Sequence, residues 1–271
     1  MSFLLANNKF KITLEVVPPS GFDGQGLVDK LWALKGLPFD GFSVASNPVA
    51  KPRMSAMVFS HLLQEHTGKP AIVHFTVRDH NRLGLQAEVW GARALGIDTI
   101  IAVTGDPSAR NQETATTTVN DLTVFDLIHM ATQADLCTGA VLDFRPEVDG
   151  LENEILRIEK KAAAGAKFIV TQPVYDEKTA QKLYTALGHI KIPIIMGILP
   201  LLSPKHARFL HDKVAGIAIP ETLQREMANT DNPVATGIRQ SRQMLELAKR
   251  LFSGACIMPP FDRFDILPEI L

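Results

Sequence analysis

Two cysteines in 271 residues, Cys137 and Cys256, are too few and too far apart for a disulfide framework or a cysteine-rich metal site. That usage suits a reducing compartment. An excess of one charge is also missing. Lys and Arg number 28 against 29 Asp and Glu, a net charge of −1, so no global basic field exists to hold nucleic acid or an anionic membrane. No apolar run reaches the roughly 18 residues that a membrane-spanning helix needs. The apolar patch at 3–6 is too short for the hydrophobic region of a secretory signal. These absences lead us to expect a soluble, cytoplasmic protein.

Familiar catalytic signatures are lacking too. The eight histidines form no HxH or HExxH pattern, and His61/His66 and His206/His211 lie five apart, off a shared helix face. No GxSxG, GxxxxGK[ST] or GxGxxG stretch occurs, and "SGFDGQG" (20–26) lacks the Lys-Ser/Thr of a phosphate loop. Nor is there an internal repeat, a low-complexity tract or a linker.

What is present is an alternation. Eight short apolar or β-branched segments stand at 11–17, 41–46, 71–77, 99–105, 138–144, 167–174, 192–200 and 255–260. Several are nearly continuous apolar runs, as strands covered on both faces are. Helical patterns lie between them. The stretch 79–97 opens at Asp79 and closes near Gly96; 151–166 places Glu152, Glu154 and Glu159 ahead of Lys160 and Lys161; 203–214 has Ser203 as N-cap and Pro204 at the first helical position. Marker residues at 15, 45, 74, 104, 143 and 172 are separated by 30, 29, 30, 39 and 29 residues, close to one βα unit each. The expected class is α/β, a (β/α)8 barrel over residues 1–271 as a single domain, with helical additions before the last strand. "GIAIP" (216–220) leaves open a ninth strand and an open sheet.

In such a barrel the active site lies at the carboxyl ends of the strands. Those ends carry Glu15, Ser46–Asn47, His74/Thr76/Arg78, Thr104–Gly105–Asp106, Asp143/Arg145, Gln172 and Arg263. Glu15, within "ITLEVVPP", is either the base of a structural ion pair or a carboxyl kept protonated by burial, able to act as a general acid. His74 reads equally as a hydrogen-bonded core histidine or a ligand contact. Asp106 suits a plain Asp-Pro turn or a functional carboxylate, and Gly105 before it permits close backbone approach. Arg145 and Lys161 serve phosphates or are ordinary solvated charges. The tract 113–121 reads as a polar loop over the mouth.

Five stretches, in order, add a further level: "LEVVPP", "VHFTVRDHN", "LGIDTIIAVTGDPS", "RIEKKAAAGAKFIVTQPVYD" and "GILPLLSP". Together they resemble the methylenetetrahydrofolate reductase family, closest to the branch fused to homocysteine methyltransferases and found in anaerobe folate pathways. The resemblance implies a barrel that passes hydride from reduced flavin to 5,10-methylenetetrahydrofolate, giving 5-methyltetrahydrofolate for methionine biosynthesis. It implies FAD, with FMN as the alternative. Glu15 then matches the general acid, and Asp106 the aspartate between flavin and pterin. Gln172 and Arg263 match folate contacts. Ser46, His74, Thr104, Gly105, Arg145 and Lys161 fall at flavin-contact positions, with Lys161 near the diphosphate. The electron donor implied is NADH or NADPH, or an electron-transfer subunit, in a homo-oligomer or hetero-complex. Departures stand at "EVVPP" in place of EFFPP, at "VASNPVAKPR" (44–53), and at Arg145 where histidine is common. They leave a second reading, a barrel subunit active only beside an iron–sulfur partner.

Overall fold

The computed structural model describes residues 2–106, 116–143, 150–214 and 216–271. Eight parallel strands close into a barrel in chain order: β1 (Lys11–Val16), β2 (Gly41–Val44), β3 (Ala71–Thr76), β4 (Thr99–Val103), β5 (Cys137–Leu142), β6 (Phe168–Pro173), β7 (Ile194–Ile198) and β8 (Gly254–Ile257). β8 returns to β1, pairing Thr13 with Cys256 and Leu14 with Ile257. All eight expected strands are present.

Helices surround the ring: α1 (Gln25–Trp32), α2 (Ala56–Thr67), α3 (Arg82–Ala94), α4 (Val124–Gln133), α5 (Gly150–Ala163) and α6 (Glu177–Leu187). Between β7 and β8 come three, α7 (Pro204–Lys213), α8 (Glu221–Asn229) and α9 (Pro233–Leu251), and α10 (Leu267–Ile270) follows β8. Their starts obey capping chemistry. Ser203 accepts from His206 N with Pro204 behind it, as expected. α3, by contrast, is capped by Asn81, which accepts from Gly84 N, rather than by Asp79. "GIAIP" is not a strand. Ile217 and Ile219 are buried with Tyr175, Leu201, Leu210 and Leu223 beneath α7 and α8, outside the ring, where no strand edge is left to pair with.

The two-residue period of the strands divides the apolar residues. Leu14, Val16, Phe42, Val44, Phe75, Ile100, Leu142, Met196 and Ile257 face the helices in the main core. Ile72, Ile101, Phe168, Val170, Ile195 and Cys256 form a separate cluster with Phe3 and Leu4. This second cluster is the lumen, and the amino-terminal residues stopper it at the end where the strands begin. Ser2 Oγ accepts from Thr99 Oγ1 at 2.7 Å, and a Cβ on Gly41 would stand 2.7 Å from the Phe3 ring. The other end of the lumen is polar.

Candidate active site

At that polar end β1 places Glu15 beside Ser43 of β2. Its neighbours are uncharged. The Ser43 hydroxyl is 2.8 Å from His74 Nε2, and burial pushes the imidazole down to about 4, so it is neutral at neutral pH. Cys256, inward from β8, has its thiol pushed up to about 12 by burial and by the nearby Glu15 charge. Among the described residues no ion pair or hydrogen bond reaches the Glu15 carboxyl, which excludes the ion-pair reading. Burial therefore raises Glu15 to about 7. Half protonated near neutrality, it is suited to donate a proton and take it back.

Gln172 arrives at the mouth through an irregularity. The β6–β7 register shifts between Val170 and Pro173. Thr171 Oγ1 donates to Gln172 O at 2.8 Å and accepts from Gly197 N at 3.0 Å, fixing the bulge. A side chain at position 197 would collide with Thr171 O at 2.6 Å, so the close approach of the two strands requires Gly197.

The β2, β3 and β4 ends are joined by one network. Arg78, 5% exposed, directs Nε and Nη2 to Asp79 at 2.6 and 2.8 Å, Nη1 to Asp106 O at 2.8 Å and Nη2 to Asn47 O at 3.3 Å. Asp106 is exposed, and its carboxylate accepts from Val49 N at 2.6 Å. Thr104 beside it is exposed, and Gly105 turns the chain at φ +89°. Ser46 is half-buried in the turn after β2, next to Asn47 in the left-handed region. The sequence places Asn47 and Arg78 on the rim without a role and Asp79 at a helix start; their joint network is what it missed. The consecutive "RD" after an apolar strand is their only signal.

Lys161 is nearly fully buried. Its ammonium donates to Val141 O at 2.6 Å and lies 3.7 Å from Glu154, which in turn accepts from Asp143 N at 2.9 Å. Burial lowers the lysine and raises the glutamate. Lys161 thus ties α5 to the end of β5 rather than standing in the mouth. Arg263, after β8, is 39% exposed and forks onto Asp265 at 2.8 and 2.7 Å. Arg145 lies outside the described residues, as do 113–115 of the polar loop; 116–121 carry no regular secondary structure. Among the described residues no cluster of three metal-ligating side chains occurs, and no helix is long and apolar enough to cross a membrane.

A polar mouth with a half-buried carboxyl of raised pKa is common to several chemistries, and comparison with known proteins narrows the choice. The family model for methylenetetrahydrofolate reductase matches residues 1–255. The chain belongs to the methylenetetrahydrofolate reductase family. Among relatives within it, 5,10-methylenetetrahydrofolate reductase of Buchnera aphidicola (Schizaphis graminum) is 25% identical over 85% of this chain and 78% of its own. The Salmonella typhimurium enzyme is 24% identical over 84% and 77%. A probable NADPH-dependent reductase of Caenorhabditis elegans is 24% identical over 78% of this chain, which spans only 31% of that longer protein. The same barrel recurs in an uncharacterized Clostridium thermocellum protein that binds two copies of 5-methyl-5,6,7,8-tetrahydrofolic acid. It has a TM-score of 0.69 and 19% identity, covering 98% of this chain and 94% of that one. Oxaloacetate acetylhydrolase shares the fold at a TM-score of 0.59 and 11% identity, over 98% and 80%. In this chain Glu15 lies on β1 and Asp106 in the turn after β4, both toward the carboxyl ends of the strands.

Proposed function

We propose that residues 1–271 act as one cytoplasmic reductase domain that converts 5,10-methylenetetrahydrofolate to 5-methyltetrahydrofolate with a bound flavin, FAD in preference to FMN. The observation that carries this reading is Glu15, a carboxyl held near pKa 7 by an uncharged lumen and turned to the mouth of a family barrel. The donor set fits a flavin ring. Exposed Thr104, Gly105 with no side chain and neutral His74 line the β3–β4 side, where a flat ring can approach backbone, and the Arg78 charge there is paired with Asp79. The flavin, when bound, supplies hydride.

The protein's own residues do the remainder. Glu15 protonates the ring nitrogen that leaves when the one-carbon bridge opens. Asp106 stabilises positive charge developing on the folate. Gln172 offers amide donor and acceptor to the pterin edge, and Arg263 lies on the side of the glutamate tail. Lys161 holds the β5 end in place, and Ser46 would border the flavin, as the family resemblance implies for Arg145 as well. NADH or NADPH supplies electrons at the same face. A second reading, delivery by an electron-transfer subunit, is favoured by the exposed Phe22, Val49 and Phe261 in three loops on the mouth side.

The test is anaerobic. The flavin-loaded protein is photoreduced and methylenetetrahydrofolate is added. Return of the oxidised-flavin absorbance supports the reading, and NADH or NADPH then identifies the donor. Flavin that binds but stays reduced favours the partner-dependent reading, and failure to bind any flavin overturns both.

A further inference from the structure

Arg78 offers five N–H groups in a rigid plane, and the structure uses the plane to join three loops. Its partners come from the β2 turn (Asn47 O), from its own neighbour (Asp79) and from the β4 turn (Asp106 O). The fork is held in turn. Asp79 Oδ2 also accepts from Asn47 Nδ2 at 3.2 Å and from Thr76 Oγ1 at 3.1 Å. Burial pushes Asp79 up, but hydrogen bonds from Arg78 and Asn47 hold it below the usual carboxylate range, so the pair stays ionised. Arg78 O accepts from Val119 N at 2.9 Å, which attaches the chain leading into α4. Gly105 closes on the same side chain: a Cβ there would stand 3.0 Å from Arg78 Cβ and 3.1 Å from Thr76 Cγ2.

Asp106 is consequently gripped twice, by its carbonyl through Arg78 and by its carboxylate through Val49 N, while its side chain remains exposed to the mouth. We propose that Arg78 is a positioning residue of the reductase site, a clamp that fixes where the Asp106 carboxylate meets the folate. This rests on the role given to Asp106 above. The charges agree with it. Arg78 and Asp79 cancel, leaving the negative charge of Asp106 uncompensated where a cationic substrate forms. Lysine cannot replace the fork, because an ammonium is a single point of donation that does not span three loops.

The test is a double-mutant cycle of Arg78→Lys and Asp106→Asn, read as the rate of folate reduction and, separately, as the Kd for 5-methyltetrahydrofolate by calorimetry. Arg78→Lys is expected to lower the rate roughly 10- to 100-fold, the scale of a displacement near 1 Å. It is also expected to weaken folate binding several-fold. In the Asp106→Asn background it should change neither. Equal losses in both backgrounds would overturn the clamp and leave Arg78 a structural residue. If Asp106→Asn alone alters nothing, the role of Asp106 falls and the clamp with it. Should Arg78→Lys not fold, Asp79→Asn takes its place. It weakens the fork but keeps both carbonyl contacts, and a smaller loss that likewise vanishes with Asp106→Asn is required.

Discussion

At the scale of single residues, Glu15 carries opposite consequences for activity and stability. Its folded value, about 7, lies above the ordinary 4.5, so the native state binds more protons than the unfolded chain between those values. Stability from this group is therefore full below about pH 4.5 and is lost as pH rises to 7. At about 1.4 kcal/mol per pH unit the loss is about 3.5 kcal/mol at most, reduced by the solvent that reaches the mouth. Glu15→Gln should thus melt higher than the native protein at pH 8 and close to it at pH 4.5. Its reduction of methylenetetrahydrofolate should fall by orders of magnitude while flavin binding persists. Melting curves at the two pH values, with stopped-flow traces of flavin reoxidation, check both arms. His74 works with the reverse sign. Its value of about 4 lies below the ordinary 6.5, so acidification through that window costs stability. Between about pH 4.5 and 6.5 the two slopes oppose, and His74→Asn should leave a profile that falls with pH across that range. Glu15 stood out in the sequence because a carboxylate inside an apolar run demands a reason. Whether His74 faces the lumen or the helices depends on strand register, and that is fixed only when β3 pairs with β2 and β4. The surroundings of Lys161 come from α5 lying across β5, a packing relation that no local pattern encodes.

At the scale of elements, local chemistry wrote the starts of helices and the centres of strands. Ser203–Pro204 was readable because a cap acts within three residues. Asp79 was misread as a helix start because its true partner, Arg78, is set by the loop network and not by the helix that follows. "GIAIP" alternates like a strand, yet its buried isoleucines serve a cluster between helices, and alternation alone does not reveal whether an edge is free. One element contact invites a sharp test. Gly237 lies inside α9, where alanine would ordinarily add about 1 kcal/mol of helix stability. A Cβ there would stand 1.8 Å from Leu201 O, in the segment joining β7 to α7. Gly237→Ala should therefore destabilise, by about 1–3 kcal/mol or more, because backbone must move to admit it. A urea titration that showed stabilisation would contradict the packing of α9 against that segment.

At the scale of the whole molecule, closure of the ring in chain order was foreseeable from eight strands alternating with helices, with extra helices before the last, while the stopper at its base was not. The Phe3–Ala6 patch is too short to have a period, and its use emerges only once a lumen exists for it to fill. Phe3 and Leu4 join Ile72, Ile101, Phe168 and Ile195 at the end remote from Glu15. Leu4→Ala should accordingly cost about 2–4 kcal/mol of stability and leave the KM for folate unchanged. Chemical denaturation and steady-state kinetics on one preparation separate the two effects.

The seam between β1 and β8 has a further consequence, during synthesis. Of the eight strands the ribosome delivers β1 first and its second partner, β8 (Gly254–Ile257), last. Until then one side of "KITLEV" is an open template for another chain's strand. Lys11 and Glu15 are the charged residues on it, and in the unfinished protein Glu15 has its ordinary acidity and is ionised. The carboxyl that becomes half neutral once the ring shuts is thus, on the nascent chain, a guard against aggregation. Replacing it with an uncharged residue removes that guard at the stage when the strand is most adhesive.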